Sequence, residues 1–171
     1  VEAAQKTDRD IHTINGLLKA QKDQTLEKVE AVVDTASALQ KQIDQLNQKL
    51  AHFQAAELLS QVQDIAGRTT LITTVQNMDA KSLRNLHDGV KSKLENAVIV
   101  LAGVEGDKVS LIASVAKDFT ASIKAGDIIK HLATELGGKG GGKPDLAQGG
   151  APLNEKFATV MADLTAWLEA K

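Results

Sequence analysis

The spacing of apolar residues changes period once along this chain, at about Ser60, and that change restricts the fold to a helical segment followed by a sheet-bearing one. From Thr25 to Phe53, apolar positions recur in alternating steps of four and three: Val29, Ala36, Ile43 and Leu50 form one set, and Thr25, Val32, Leu39, Leu46 and Phe53 the other. Placed at a and d, the two sets make a heptad seam. Around it stand Lys41, Gln42, Asp44, Gln45, Gln48 and Lys49, so the stretch predicts a long helix with one narrow apolar stripe. Such a stripe needs a partner helix. Upstream, Ile11, Ile14, Leu17 and Leu18 give 1–20 a helical face, and Lys22-Asp23-Gln24 breaks the pattern with Asp23 available as an N-cap. An antiparallel hairpin of these two helices is the simplest arrangement; pairing between two chains along the seam would bury it equally well.

Beyond Ser60 the runs are short and β-branched or continuously apolar. Thr69 to Val75, Ala97 to Gly103 and Val109 to Val115 read as strands, with Gln61 to Ala66 as a further edge strand. Val104-Glu105-Gly106-Asp107-Lys108 has the length of a hairpin connection. Leu83, Leu86, Val90 and Leu94 follow Asp79 at helical spacing, and Ile128, Ile129, Leu132 and Leu136 define a helix that stops at Gly137. Pro152 is expected to open a last helix that buries Leu153, Phe157, Val160, Met161, Leu164 and Leu168. The expected class is therefore α/β (α+β), with a coiled-coil arm over 1–58 and a globular mixed-sheet domain over 59–171.

Of 171 residues, 43% are apolar and 25% charged, enough to bury a core, which argues against disorder. The absence of cysteine excludes a disulfide framework and cysteine-liganded zinc, and suits a reducing compartment. No run approaches the length of a membrane span, and the polar start at Val1 to Arg9 is unlike a signal peptide, so a cytoplasmic setting is expected. Beginning at Val inside a polar helical pattern, the chain reads as a piece of a longer protein. A formal net charge of -2 argues against a polycation that coats nucleic acid by charge alone, so any such site must be a local patch. With three Phe, one Trp and no Tyr, base-stacking aromatic platforms are missing.

The richest stretch is Gly137-Gly138-Lys139-Gly140-Gly141-Gly142-Lys143-Pro144-Asp145-Leu146-Ala147-Gln148-Gly149-Gly150. Glycine at this density costs folding entropy, and close approach of backbone N–H groups to phosphate, with Lys139 and Lys143 adding charge, is one use that compensates. Gly137, Gly142 and Lys143 match the start of a P-loop. The match fails at Pro144, where the Mg-binding hydroxyl belongs, and the segment follows a helix rather than a strand. A flexible linker is the plainer alternative, although linkers seldom embed Lys-Pro-Asp-Leu.

This string, preceded by Lys108-Val109-Ser110-Leu111-Ile112-Ala113, by Lys117-Asp118 and by Lys124-Ala125-Gly126, resembles the C-terminal domain of bacterial alanyl-tRNA synthetase. The resemblance covers the chain from about Val62 onward, and the helical arm is similar to the part that joins this domain to the rest of that enzyme. It implies a DHH-associated, noncatalytic tRNA-binding module that grips the outer corner of tRNA, where the D and T loops meet, and helps aminoacylation and editing act on one tRNA molecule. It implies as partners alanine tRNA and the catalytic and editing domains of the same chain, with no cofactor in this piece; ATP, Mg and Zn would belong to the parent ligase. Lys143 stands where the family often has Arg, keeping charge but not the bidentate fork. The residues expected to meet tRNA are Lys139, Gly140, Gly141, Gly142, Lys143, Lys124 and Lys117. Independently of the resemblance, 108–143 carries six lysines against three acids in a net-negative chain. Two other readings stay open: the substrate-binding arm of a DHH-type phosphodiesterase, whose His-bearing glycine motif is not matched at Lys143-Pro144-Asp145, and a coiled-coil structural adaptor.

No catalytic or metal constellation is legible. His12, His52, His87 and His131 lie far apart with no ligand spacing among them. Asp118, Asp127, Glu135 and Asp145 could pair in space as acid and base, but Asp127 reads as the cap of the helix beginning at Ile128, and Asp145 as a turn residue. Ser110 and Ser114 alternate on one strand without a nearby His, which leaves no nucleophile. Trp167 is expected to pack the last helix.

Overall fold

The computed structural model describes residues 2–21 and 23–171, so Val1, and Lys22 of the expected break, lie outside the described residues. In chain order the elements are α1 (Glu2–Leu18), α2 (Thr25–Leu58), β1 (Gln63–Ile65), β2 (Arg68–Gln76), α3 (Ala80–Lys93), β3 (Val98–Glu105), β4 (Lys108–Val115), α4 (Ala125–Glu135), β5 (Lys139–Gly142), β6 (Leu146–Pro152) and α5 (Phe157–Glu169). No helix among the described residues is long and apolar enough to cross a membrane. The chain divides into two compact units, one ending at Leu46 and the other spanning Asn47–Lys171.

In the first unit, the heptad seam forms as a continuous helix face but remains open: Val32, Leu39, Ile43 and Leu46 are each at least half exposed. The expected hairpin does not cover it. The two helices meet instead near their connection, where Asn15 is buried and its Oδ1 accepts from the Thr25 hydroxyl.

The second unit is built on a six-stranded sheet in the order β1-β2-β3-β4-β6-β5, antiparallel except for the β2–β3 pair. That parallel pair requires a crossover, and α3 supplies it. Asp79 starts α3 as anticipated, its carboxylate accepting from the Ser82 N–H at 2.8 Å. β3 is buried from Val98 to Val104, which explains its unbroken apolar run. One face of the sheet, with Val98, Val100, Ala113, Val115 and Leu111, packs on α4 (Ile128, Ile129, Leu132) and α5 (Leu164, Leu168). The other face, with Leu71, Ile99, Leu101 and Ile112, packs on α3 (Leu83, Leu86, Val90) and on the last turns of α2 (Ala51, Ala55, Leu58). Arg68, buried on β2, donates from Nη2 at 2.6 Å to the Leu168 carbonyl, which also accepts from the Lys171 N–H, and so ties the end of α5 to the sheet.

Two expectations about helix starts are corrected. α4 begins at Ala125 rather than at Ile128, with Lys124 at the N-cap making no side-chain cap bond; Asp127 therefore sits in the first turn, where its charge suits the helix dipole. Pro152 does not open α5. It ends β6, opposite Lys108 of β4, because the second glycine run continues the sheet, and α5 starts only at Phe157.

Candidate nucleic-acid interface

The glycine-rich segment is not a loop. It forms β5 and β6, an antiparallel pair in which Lys139 faces Gly150 and Gly141 faces Gln148, and β5 is the free edge of the sheet. Gly137, with φ +74, ends α4 in the left-handed conformation. The glycines that follow serve a different end. A methyl group on Gly140 would lie 2.5 Å from Ile129 Cγ2 and 2.7 Å from the Gly149 Cα, and one on Gly142 would lie 2.6 Å from the Ala147 Cα. These residues are side-chain-free because α4 and β6 press directly on the β5 backbone. Gly141 alternates to the opposite face, where nothing lies within 4 Å.

That opposite face is the one that α3 covers farther along the sheet, yet here, over the start of β4 and the strands beyond it, it is open. Lys108 and Ser110 of β4, Gly150 of β6 and Lys139 of β5 line a shallow groove of about 570 Å³, with Asp107 of the β3–β4 turn at its end. Gly141 and Gln148 continue the exposed surface. A sheet edge exposes N–H and C=O groups that no strand pairs; one without side chains lets a polyanion reach them, and the lysines supply the charge.

Each residue expected to meet tRNA falls on the second unit. Lys139, Gly140, Gly141, Gly142 and Lys143 are all exposed, and the two lysines bracket the three glycines. Lys143 begins the turn into β6, its N–H donating to the Leu146 carbonyl at 2.9 Å. Lys124 sits at the same turn, since the Ala125 N–H donates to the Pro144 carbonyl at 2.8 Å. Lys117, in the 3-10 turn after β4, lines a separate hollow with Asp145. Lys117, Lys124 and Lys143 therefore gather around Pro144-Asp145, whereas Lys139 lies at the other end of β5 beside Lys108, a neighbour that sequence reasoning did not select. Trp167 is stacked on His131 at 4.6 Å and has the Lys171 ammonium 5.2 Å from its ring centroid, so its ring is already occupied.

The sequence reading placed no histidine near Ser114, and the fold overturns this. His87 Nε2 lies 2.7 Å from Ser114 Oγ across the α3–β4 contact, while Nδ1 faces the Asp88 carboxylate at 3.3 Å. The carboxylate fixes the tautomer: Nδ1–H donates outward, and Nε2 accepts from the Ser114 hydroxyl. Burial lowers the His87 pKa, outweighing the opposing pull of Asp88. Below the ordinary value of 6.5 the unfolded chain therefore binds a proton that the folded chain resists, and stability falls as pH drops through that window. The urea midpoint of the chain should fall between about pH 7.5 and 5.5, and His87→Gln should flatten that fall. An unchanged profile in the variant would remove His87 as its cause. Among the described residues, no three His, Asp or Glu side chains converge as metal ligands would.

The DHHA1 domain model matches residues 67–170. The alanine–tRNA ligase of Psychrobacter cryohalolentis is 46% identical over 168 residues, covering 98% of this chain and 19% of that protein. The alanine–tRNA ligase of Paraburkholderia phymatum is 41% identical over 171 residues, covering all of this chain and 20% of that protein. The chain thus spans about a fifth of the length of these relatives. Among solved structures, the C-Ala domain from Aquifex aeolicus alanyl-tRNA synthetase superposes with a TM-score of 0.57 at 28% identity, over 63% of this chain and 97% of that one.

Proposed function

The chain belongs to the DHHA1 domain family, and from that premise we propose that it is the noncatalytic tRNA-binding domain of an alanine–tRNA ligase. It works in the cytoplasm beside the catalytic and editing domains of the same longer chain, without a cofactor of its own. It holds the corner of the tRNA where the D and T loops meet, and so keeps one tRNA molecule engaged through aminoacylation and editing. The observation that carries this reading is the open face of the sheet opposite α4, where an edge strand of three glycines runs between Lys139 and Lys143 and Lys108 stands beside it. Such a surface contacts sugar and phosphate; it positions a folded RNA and reads little sequence. In a binding titration across salt concentrations, alanine tRNA and an unrelated tRNA should bind with similar affinity and with the same steep loss as salt rises. Weak binding that is indifferent to salt would refute the reading.

The open heptad seam supports self-association of the helical segment as a second element of this proposal. Val32, Leu39, Ile43 and Leu46 present apolar area to water along one stripe of the helix, and a second copy of the same seam would bury it. Sedimentation should show a dimer, and Leu39→Glu with Leu46→Glu should return it to monomer without unfolding the sheet unit. A monomer at every concentration tested contradicts self-association while leaving tRNA binding untouched.

A further inference from the structure

Beneath the C-terminal end of α3, at the far end of the β5–β6 edge from Lys108, lies a hollow of about 270 Å³. Its walls are apolar, from Leu94, Ala97, Ile99 and Val115, and two ammonium groups, Lys91 and Lys117, stand on its lining with the carboxylates Glu95 and Asp145. Ser114 is in the lining too. Its hydroxyl proton is committed to His87 Nε2, so what the serine oxygen offers the hollow is lone pairs. The lining thus carries the acceptors of Ser114, Glu95 and Asp145 together with the Asn96 amide, which donates as well as accepts.

Apolar walls, carboxylate acceptors at the polar side and cations nearby suit a planar group that carries N–H donors and is joined to phosphate. Unpaired bases splayed from RNA loops are recognised in this manner, by contact with their faces and hydrogen bonds to their pairing edges. Guanine is the base that sets two adjacent donors, N1–H and the N2 amine, on that edge, which is what a carboxylate accepts. Asp145 also ties the hollow to the glycine edge, since it follows Lys143-Pro144 directly and its own carbonyl accepts from the Val115 N–H at 3.0 Å. We propose that this hollow receives one unpaired guanine of the bound RNA, with the Asp145 carboxylate accepting from its pairing edge and Lys91 and Lys117 meeting the adjoining phosphates.

This inference rests on the tRNA-binding reading and gives it a point of base contact that the open sheet does not provide. Asp145→Asn tests it, because charge and base recognition predict opposite signs. Removing a carboxylate from a surface that faces RNA strengthens binding if charge alone matters; removing the acceptor of a bidentate base contact weakens it. The substitution leaves the backbone bond to Val115 in place. The expected result is tRNA affinity lower by about tenfold at fixed salt, with the salt slope unchanged. Unchanged or tighter binding overturns the proposal. A second measurement is independent of tRNA: titrating the isotope-labelled chain with 5′-GMP should shift the amide signals of Asn96, Ala97, Ser114 and Asp145, and 5′-UMP should not. Equal shifts with both nucleotides, or none at these residues, overturn it as well. If the chain binds no tRNA at any salt, the tRNA reading itself fails, and the 5′-GMP titration still judges the hollow.

Discussion

Mutating both lysines that bracket the glycine strand, Lys139→Ala with Lys143→Ala, is expected to weaken tRNA binding by roughly fiftyfold at about 0.1 M salt. Each phosphate contact releases nearly one counterion, and at that salt one released ion contributes close to a factor of ten. The same double substitution should lower the slope of log affinity against log salt by about 2, one for each lost contact, and should act alike on tRNAs of different sequence. Both lysines are exposed, so the fold has no reason to change. Circular dichroism should therefore match the parent chain while the binding isotherm moves. An unaltered slope would mean that the phosphates lie elsewhere on the molecule.

The second large effect concerns stability and separates two adjacent glycines. Gly140→Ala should destabilise the sheet unit by about 2–3 kcal/mol, because its methyl must displace Ile129 Cγ2 at 2.5 Å and the Gly149 backbone at 2.7 Å. Those neighbours belong to a buried helix face and to a paired strand, and neither can swing aside as the tip of an exposed side chain would. Gly141→Ala meets nothing within 4 Å and should leave stability unchanged or raise it by roughly 0.5 kcal/mol, through the reduced freedom of the unfolded chain. Urea denaturation of the two variants measures the contrast. Equal effects would show that β5 does not alternate its faces as described.

That contrast also shows why the glycine segment was only partly legible. Its composition pointed to backbone exposure, and the exposure is real for Lys139 to Gly142. Composition also favoured a loop, since glycine is a poor strand former. The overlooked signal was period two in small residues: Gly138, Gly140 and Gly142 alternate toward the helix side, and Ala147, Gly149 and Ala151 answer them on β6. Tertiary closeness to α4, which no local propensity encodes, turns that pattern into a sheet edge. The same continuation of β6 carried Pro152 into the sheet and displaced the start of α5 to Phe157.

Elsewhere period alone was enough. Arg68–Gln76, Val98–Glu105 and Lys108–Val115 form strands where β-branched runs stood, and Asp79 caps α3. What the sequence withheld were meetings between distant residues. His87 and Ser114 are 27 positions apart and share a bond only because α3 crosses beneath β4. Lys108 joins Lys139 only because β6 lies between their strands. For the helical segment the seam was plain, but a stripe fixes what must be covered and not by which helix.

Hydrogen exchange of the chain with and without bound tRNA reads the backbone amides themselves, and so shows whether RNA lies along the glycine edge. Bound tRNA is expected to slow exchange at 139–143 and at 108–110, and to leave the outer face of α5 as it was. Protection confined to α5 or to the helical segment, with the glycine edge exchanging at its free rate, would contradict it.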